Sequence, residues 1–339
     1  MIIYEGAIRT LIFIVNLSSI EYKSIFEKMD RHGMTINWQD VLHKSNLLQP
    51  TLIHASQFVF RDKLEQKFPE GRIYVCDAYV KDIEHGQEVI GGYEMGRCIN
   101  IDHHAPVVKM SRIISSTPLA IERVTSIGVA SNQGQVVINH TDCDSVLSSA
   151  IILGILPPEL EFGLAAIAAD HTGQSNQIAD VLQPCAKLRD FNFSLRNLAK
   201  LLQGEQLENE AQELYEERMH QRKTAQELVG SGQFKMLPNG VAWAIVDTRL
   251  DGALLPSLIP QAKAIVMATK ISKNNKWRIS TRLGQAAPEG MNLHTLNIRQ
   301  IDPAFGGRWN AGNTSRSGGS NLQPDDYARL LDQAISHFK

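Results

Sequence analysis

The stretch Cys98-Ile99-Asn100-Ile101-Asp102-His103-His104 joins a short apolar run to three consecutive residues of metal-ligand type. The run is strand-length and rich in β-branched residues, so it is predicted to be a buried strand that ends at Asp102. Two other runs repeat the pattern. Ile73-Tyr74-Val75-Cys76 ends at Asp77, and Gln135-Val136-Val137-Ile138-Asn139 ends at His140, which begins His140-Thr141-Asp142-Cys143-Asp144. Helix candidates at 56–67 and 145–154 alternate with these runs. Strand and helix in this rhythm predict βαβ units and a mostly parallel sheet. In an open parallel sheet, ligands bind beyond the carboxyl ends of the strands. The three strand ends are therefore expected to deliver Asp77, Asp102, His103, His104, His140, Asp142 and Asp144 to one crevice. A fourth element, Ala168-Ala169-Asp170-His171-Thr172-Gly173, closes a small-residue segment with another acid.

One acid at a strand end is ordinarily a helix cap or turn former, and one histidine is ordinarily a core residue. The cluster is what points to chemistry. So many carboxylates in one crevice repel one another, and divalent cations would remove that repulsion.

The bulk properties exclude several classes. The chain has 339 residues, 43% hydrophobic and 21% charged, with a net charge of −2, which fits a globular protein of two domains. The charge balance argues against a protein coating long duplex nucleic acid. The four cysteines (Cys76, Cys98, Cys143, Cys185) contain no C-x-x-C pair, so neither a zinc knuckle nor a disulfide framework is expected. Leu11 to Val15 is too short to span a bilayer and lacks the flanks of a signal peptide. The expected setting is the cytoplasm, without a membrane partner.

Gln206 to Val229, rich in Glu, Gln, Ala, Leu and Lys and free of proline, is predicted to be a long connecting helix with a solvated charged face. Beyond Leu237-Pro238-Asn239-Gly240, three strand-like runs (241–247, 263–269, 276–282) and a last helix near 324–337 suggest a smaller α/β domain.

The motifs resemble those of the DHH phosphoesterase superfamily. Asn100-Ile101-Asp102-His103-His104-Ala105-Pro106 resembles its signature triplet. His140-Thr141-Asp142-Cys143-Asp144-Ser145 resembles its first motif, Val75-Cys76-Asp77-Ala78 its second, and Ala169-Asp170-His171-Thr172-Gly173 its fourth. The order along this chain is second, third, first, fourth, as a circular permutation would give. Ile279-Ser280-Thr281-Arg282 and Phe305-Gly306-Gly307-Arg308-Trp309-Asn310-Ala311-Gly312 resemble the DHHA1 domain that often follows, with Arg308 where that family carries a histidine. Consecutive glycines can turn backbone N–H groups toward an anion, and Arg282 and Arg308 can grip a phosphate. Residues 276–316 hold six Lys and Arg against Glu289 and Asp302.

The resemblance implies an α/β fold: a mostly parallel DHH-type catalytic domain over 1–190, a helical linker over 191–234 and a DHHA1-like substrate domain over 235–339. It implies a metal-dependent phosphoesterase in which two divalent ions activate water against a small organic phosphate, a nucleotide or a short oligonucleotide. A polyphosphatase or pyrophosphatase, and a non-catalytic scaffold or ligand sensor, are the alternatives. The implied metal ligands are Asp77, His103, His140, Asp142, Asp144 and Asp170, with Asp77 as the bridge. Mn²⁺ suits mixed imidazole and carboxylate ligands, with Mg²⁺, Co²⁺ or Fe²⁺ as substitutes. His104 and Asp102 are the implied catalytic pair, and Ser280, Arg282, Gly306, Gly307, Arg308 and His171 the implied substrate contacts. A homodimer is compatible with this reading.

Overall fold

A computed structural model describes residues 36–54, 59–104, 114–130, 134–247, 250–271 and 275–338. The apolar segment Leu11–Leu17 lies outside the described residues. The fold is α/β. Chain contacts divide it into two units, the first containing 36–104, 114–167 and 177–212, the second 168–176 and the chain from 213 onward.

The first unit is built on a six-stranded sheet. Its strands are β1 (Thr51–Leu52), β2 (Ile73–Cys76), β3 (Gln87–Val89), β4 (Gly92–Met95), β5 (Cys98–Ile101) and β6 (Gln135–Ile138). Their spatial order is β1-β6-β2-β5-β4-β3. β1, β6, β2 and β5 are parallel, and the β3–β4 hairpin extends the sheet antiparallel from β5. The three expected strands are present, each nearly or wholly buried. Strands covered on both faces read as continuous apolar runs, which explains why no alternation is visible in them. The hairpin was not expected; its first strand is largely exposed and polar.

The helices of this unit are α1 (Trp38–Leu47), α2 (Arg61–Lys67), α3 (Ser116–Ile127), α4 (Cys143–Ile152), α5 (Leu160–Ile167), α6 (Gln177–Cys185) and α7 (Phe191–Leu202). α2 begins five residues later than expected, because Val59 instead bridges to Val80 in the parallel sense. α4 is buried along its whole length, packed against α3, α5 and β6. Its serines Ser148 and Ser149 return their hydroxyls to carbonyls one turn back, so they can be buried without unmet hydrogen bonds.

Most of α8 (Asn209–Gly230) belongs to the second unit, as do β7 (Lys235–Met236), β8 (Val241–Ile245), β9 (Ala264–Lys270), β10 (Trp277–Leu283), α9 (Ile298–Ile301), β11 (Gly306–Gly307), β12 (Ala311–Asn313) and α10 (Pro324–Ser336). The sheet order is β11-β12-β10-β9-β8-β7. β8 and β9 are parallel and the remaining pairs antiparallel. β9 follows the period of two. Ala264, Val266 and Ala268 face a core shared with Tyr327, Leu331 and Ile335 of α10. Ile265 and Met267 face Ala225 of α8 with Leu254 and Leu255. A two-faced sheet between two helices needs apolar residues at both parities.

The long helix departs from the expected solvated face at two arginines. Arg218 and Arg222 are buried. Arg218 pairs with Asp251 at 2.6 Å, and Arg222 donates to the carbonyls of Gly173 and Gln174. Their long apolar stems and distant partners make burial affordable, and neither is visible in local charge patterning.

Candidate metal centre

The crevice of the first unit lies at the carboxyl ends of β2, β5 and β6. Asp77 follows β2 with φ of 50°, a left-handed conformation that costs a non-glycine residue about 1–2 kcal/mol. Its N–H donates to Ile101 O at 3.0 Å, so β5 fixes where the turn begins. Asn100 of β5 then closes it. The Asn100 amide donates to Val75 O and Ala78 O and accepts from the Val80 N–H.

The Asp77 carboxylate has two differently furnished oxygens. Oδ1 accepts from the Ser116 hydroxyl at 3.1 Å and stands 3.5 Å from His103 Nε2. Oδ2 accepts from the Ser145 hydroxyl at 2.9 Å and stands 3.0 Å from His140 Nε2. Burial alone would push this carboxyl upward; hydrogen bonds to His103 and His140 outweigh it and hold Asp77 well below the usual carboxylate range. Burial would likewise lower His140, yet Asp142 and Asp77 push it up to about 12. The imidazolium stands where a cation between two carboxylates is favoured.

Asp142 reaches His140 Nε2 at 3.3 Å through Oδ2. Its Oδ1 caps α4 by accepting from the Ser145 N–H. Asp144, wholly buried, stands 3.7 Å from His103 Nε2. It also caps α3 from 27 residues away in sequence: its oxygens accept from the Ser116 and Thr117 N–H groups, each at 2.7 Å, and from the Thr117 hydroxyl. The next residue, Pro118, has no N–H to satisfy. One carboxylate thus meets the first amides of the helix, where the helix dipole also favours negative charge.

Asp102 is buried behind the histidines. It accepts the His104 N–H at 3.0 Å and meets His104 Nδ1 at 2.5 Å. The same Nδ1 stands 3.6 Å from Asp77 Oδ1.

Two sets of donors, Asp77–His103–His104 and Asp77–His140–Asp142, each bring one ligand atom per residue within 4.8 Å of the others. They share Asp77. The donors are imidazole nitrogens and carboxylate oxygens, three of the acids (Asp77, Asp102, Asp144) are buried, and the Asp77 oxygens face opposite histidines. That donor set fits two divalent transition ions.

In the second unit, Asp170 lies in a single π turn, Ala168–Thr172. Arg282 donates to the Asp170 carbonyl, and Arg308 approaches its carboxylate at 3.4 Å. Burial, then the nearby Arg308, pulls the Arg282 guanidinium below its ordinary value. His171 meets the Asn310 amide at 3.1 Å and lies beside Trp309, with ring centroids 5.9 Å apart. Gly173, with φ of 67°, lies so close to Ala253 O that a Cβ would stand 2.0 Å away. Ser280 pairs with Asn313. Gly306 and Gly307 form β11 against β12 and are absent from the left-handed glycines. The two glycines thus lie in a hairpin. Gly307 is needed because a Cβ would meet Gly312 Cα at 2.3 Å, and Gly312 because a Cβ would meet the Phe305 ring at 2.4 Å.

Four residues with structural roles in the first unit's site escaped sequence reasoning: Asn100, Ser116, Thr117 and, as an anchor for Asp77, Ser145. The four cysteines are buried and free. Burial first, then Asp77 beside it, raises the Cys76 thiol well above its ordinary value. Among the described residues no helix is long and apolar enough to cross a membrane.

No family model matches the chain, and no curated protein matches it. Among solved structures, a pGpG-specific phosphodiesterase, PggH from Vibrio cholerae, is similar at 10% identity, with a TM-score of 0.42, over 88% of this chain and 92% of that one. A likeness of that degree carries no assignment of activity.

Proposed function

We propose that this chain is a metal-dependent phosphoesterase of the DHH type, with a circularly permuted motif order, acting in the cytoplasm on a small phosphorylated substrate such as a nucleotide or short oligonucleotide. What supports the reading is that imidazole and carboxylate donors meet Asp77 on two sides, His103 with Asp144 nearby at one oxygen and His140 with Asp142 at the other. The motif resemblance supplies the roles. His140, Asp142 and Asp77 would hold one ion; His103, Asp144 and Asp77 would hold the other. Asp170 is added to the second set on motif resemblance alone. Residues 1–190, 191–234 and 235–339 serve as catalytic domain, linker and substrate domain.

When bound, two divalent ions, Mn²⁺ foremost, supply a water of lowered pKa and neutralise charge on the phosphoryl oxygens. The protein's own groups do the rest. Asp102 fixes the tautomer and direction of His104 through Nδ1, so that Nε2 is aimed for a hydrogen bond to the phosphoryl group or for protonating the leaving oxygen. Arg282 and Arg308, with Ser280, His171 and the Gly306–Gly307 hairpin, hold the remainder of the substrate by charge-assisted hydrogen bonds. Asp77 would contribute one oxygen to each ion site.

The test is a panel of substrates assayed with Mn²⁺: a p-nitrophenyl diester, a linear dinucleotide, a 3′-phosphorylated nucleotide and pyrophosphate. Metal-dependent release from an ester that disappears in Asp77→Ala is the expected result. Equal release by a folded Asp77→Ala protein overturns the proposal.

A further inference from the structure

We infer that Asn100, with the hydroxyls of Ser116 and Ser145, positions Asp77 for its bridging role; the inference rests on the two-metal reading above. None of these three side chains belongs to the imidazole and carboxylate donor sets described above. Asn100 is 2% exposed and uses both faces of its amide. Its Nδ2 donates to Val75 O at 3.1 Å and Ala78 O at 2.8 Å, and its Oδ1 accepts the Val80 N–H at 3.1 Å. These bonds bracket Asp77 on both sides, tying the strand before it and the turn after it to the neighbouring strand. Asp77 lies in the left-handed region. A residue there persists only where its surroundings over-determine it. Without Asn100, the turn relaxes toward extended conformations and the carboxylate swings away from the histidines.

The serines act on the carboxylate itself. Each oxygen carries two lone pairs. The Ser116 hydroxyl occupies one on Oδ1 and the Ser145 hydroxyl one on Oδ2. The lone pairs that remain are on the His103 side of one oxygen and the His140 side of the other. The rotation of the carboxylate about its last bond is thus set before any ion arrives. Preorganised outer partners of this kind govern metal affinity by roughly 10–100-fold.

The experiment is Mn²⁺ titration of the metal-free full chain by calorimetry, alongside thermal melting in chelator. The wild-type protein is expected to take up two ions. Asn100→Ala is expected to bind them about 10–100-fold more weakly, and activity lost at low Mn²⁺ should return as Mn²⁺ is raised. A folded Asn100→Ala protein that melts lower yet binds both ions with wild-type affinity overturns the inference, since that is what a purely structural residue would do. Should Asn100→Ala fail to fold, Ser116→Ala and Ser145→Ala decide the matter. Each deletes one oxygen atom and is expected to weaken one of the two binding steps about tenfold. Wild-type affinity at both steps in both serine variants likewise overturns it. Wild-type protein that takes up no metal is a different result: there the two-metal reading itself fails.

Discussion

Asp144→Ala tests how far the carboxylate of Asp144 holds the fold together, apart from any part it plays in metal binding. Removing a carboxylate from a crowded acidic crevice in the metal-free protein ordinarily relieves repulsion and stabilises it. Asp144 should behave in the opposite way. It accepts the N–H groups of Ser116 and Thr117 at 2.7 Å each, and both residues are fully buried. Truncation leaves those two amides without an acceptor, at about 1–3 kcal/mol each. The Thr117 hydroxyl keeps a bond to the Asp144 carbonyl, so it adds little. The sum is about 4 kcal/mol, or about 10 °C in melting temperature for a domain of roughly 150–250 residues. Asp142→Ala loses one cap bond, from the Ser145 N–H, worth about 1 kcal/mol, and its pairing with His140, so the two variants are compared in a His140→Ala background where that pairing is absent. Urea and thermal unfolding in the presence of EDTA measure both. Equal destabilisation by the two variants, or stabilisation by Asp144→Ala, would refute the capping role.

Other consequences follow from the same geometry. His140 has a folded pKa of about 12, raised against burial by Asp142 and Asp77, so its contribution to stability is complete below about pH 6.5, the ordinary histidine value, and is lost as pH rises toward 12. The metal-free protein should therefore lose stability through this window, and Mn²⁺ binding near pH 7 should release a proton, seen as buffer-dependent calorimetric enthalpy; no buffer dependence would contradict it. Gly173→Ala should cost several kcal/mol, since left-handed strain adds to a Cβ 2.0 Å from Ala253 O, whereas Gly204→Ala, with φ of 70° and open space around it, should cost only about 1–2 kcal/mol; chemical denaturation compares them. Asp102→Asn should keep metal affinity but lower kcat about 100-fold by releasing the His104 tautomer, and a loss confined to KM would argue against it.

The sheet and the cluster of acids and histidines beyond its strands were legible because both depend on short runs. β2, β5 and β6 are short, mainly apolar segments, and each leads into a ligand type where the next connection begins. The supporting groups were not legible. Asn100 reads as a polar blemish in Cys98–Ile101 until its partners at Val75, Ala78 and Val80 are known. Ser116 and Thr117 look like ordinary helix-starting residues, and their acceptor, Asp144, lies beyond an entire strand in sequence. Arg218 and Arg222 sit among Glu and Lys on a helix whose partners, Asp251 and the Gly173–Gln174 carbonyls, are distant along the chain. The glycines near 306 were read for the freedom they give a turn, while the structure uses Gly307 and Gly312 for the space they vacate between backbones and beneath Phe305.

The pairing of Val75 with Asn100 across β2 and β5 has a bearing on assembly. Parallel strands bought from buried apolar residues alone can slide, because Ile, Val and Cys at neighbouring positions offer nearly equal burial. A slip of one residue turns every side chain to the opposite face. Here such a slip would withdraw the Asn100 amide from three backbone groups and break the lock on the Asp77 turn. Asn100 therefore acts as an index mark for the sheet: a mispaired folding species forfeits the Asp77 turn and with it the meeting of Asp77 with His103 and His140.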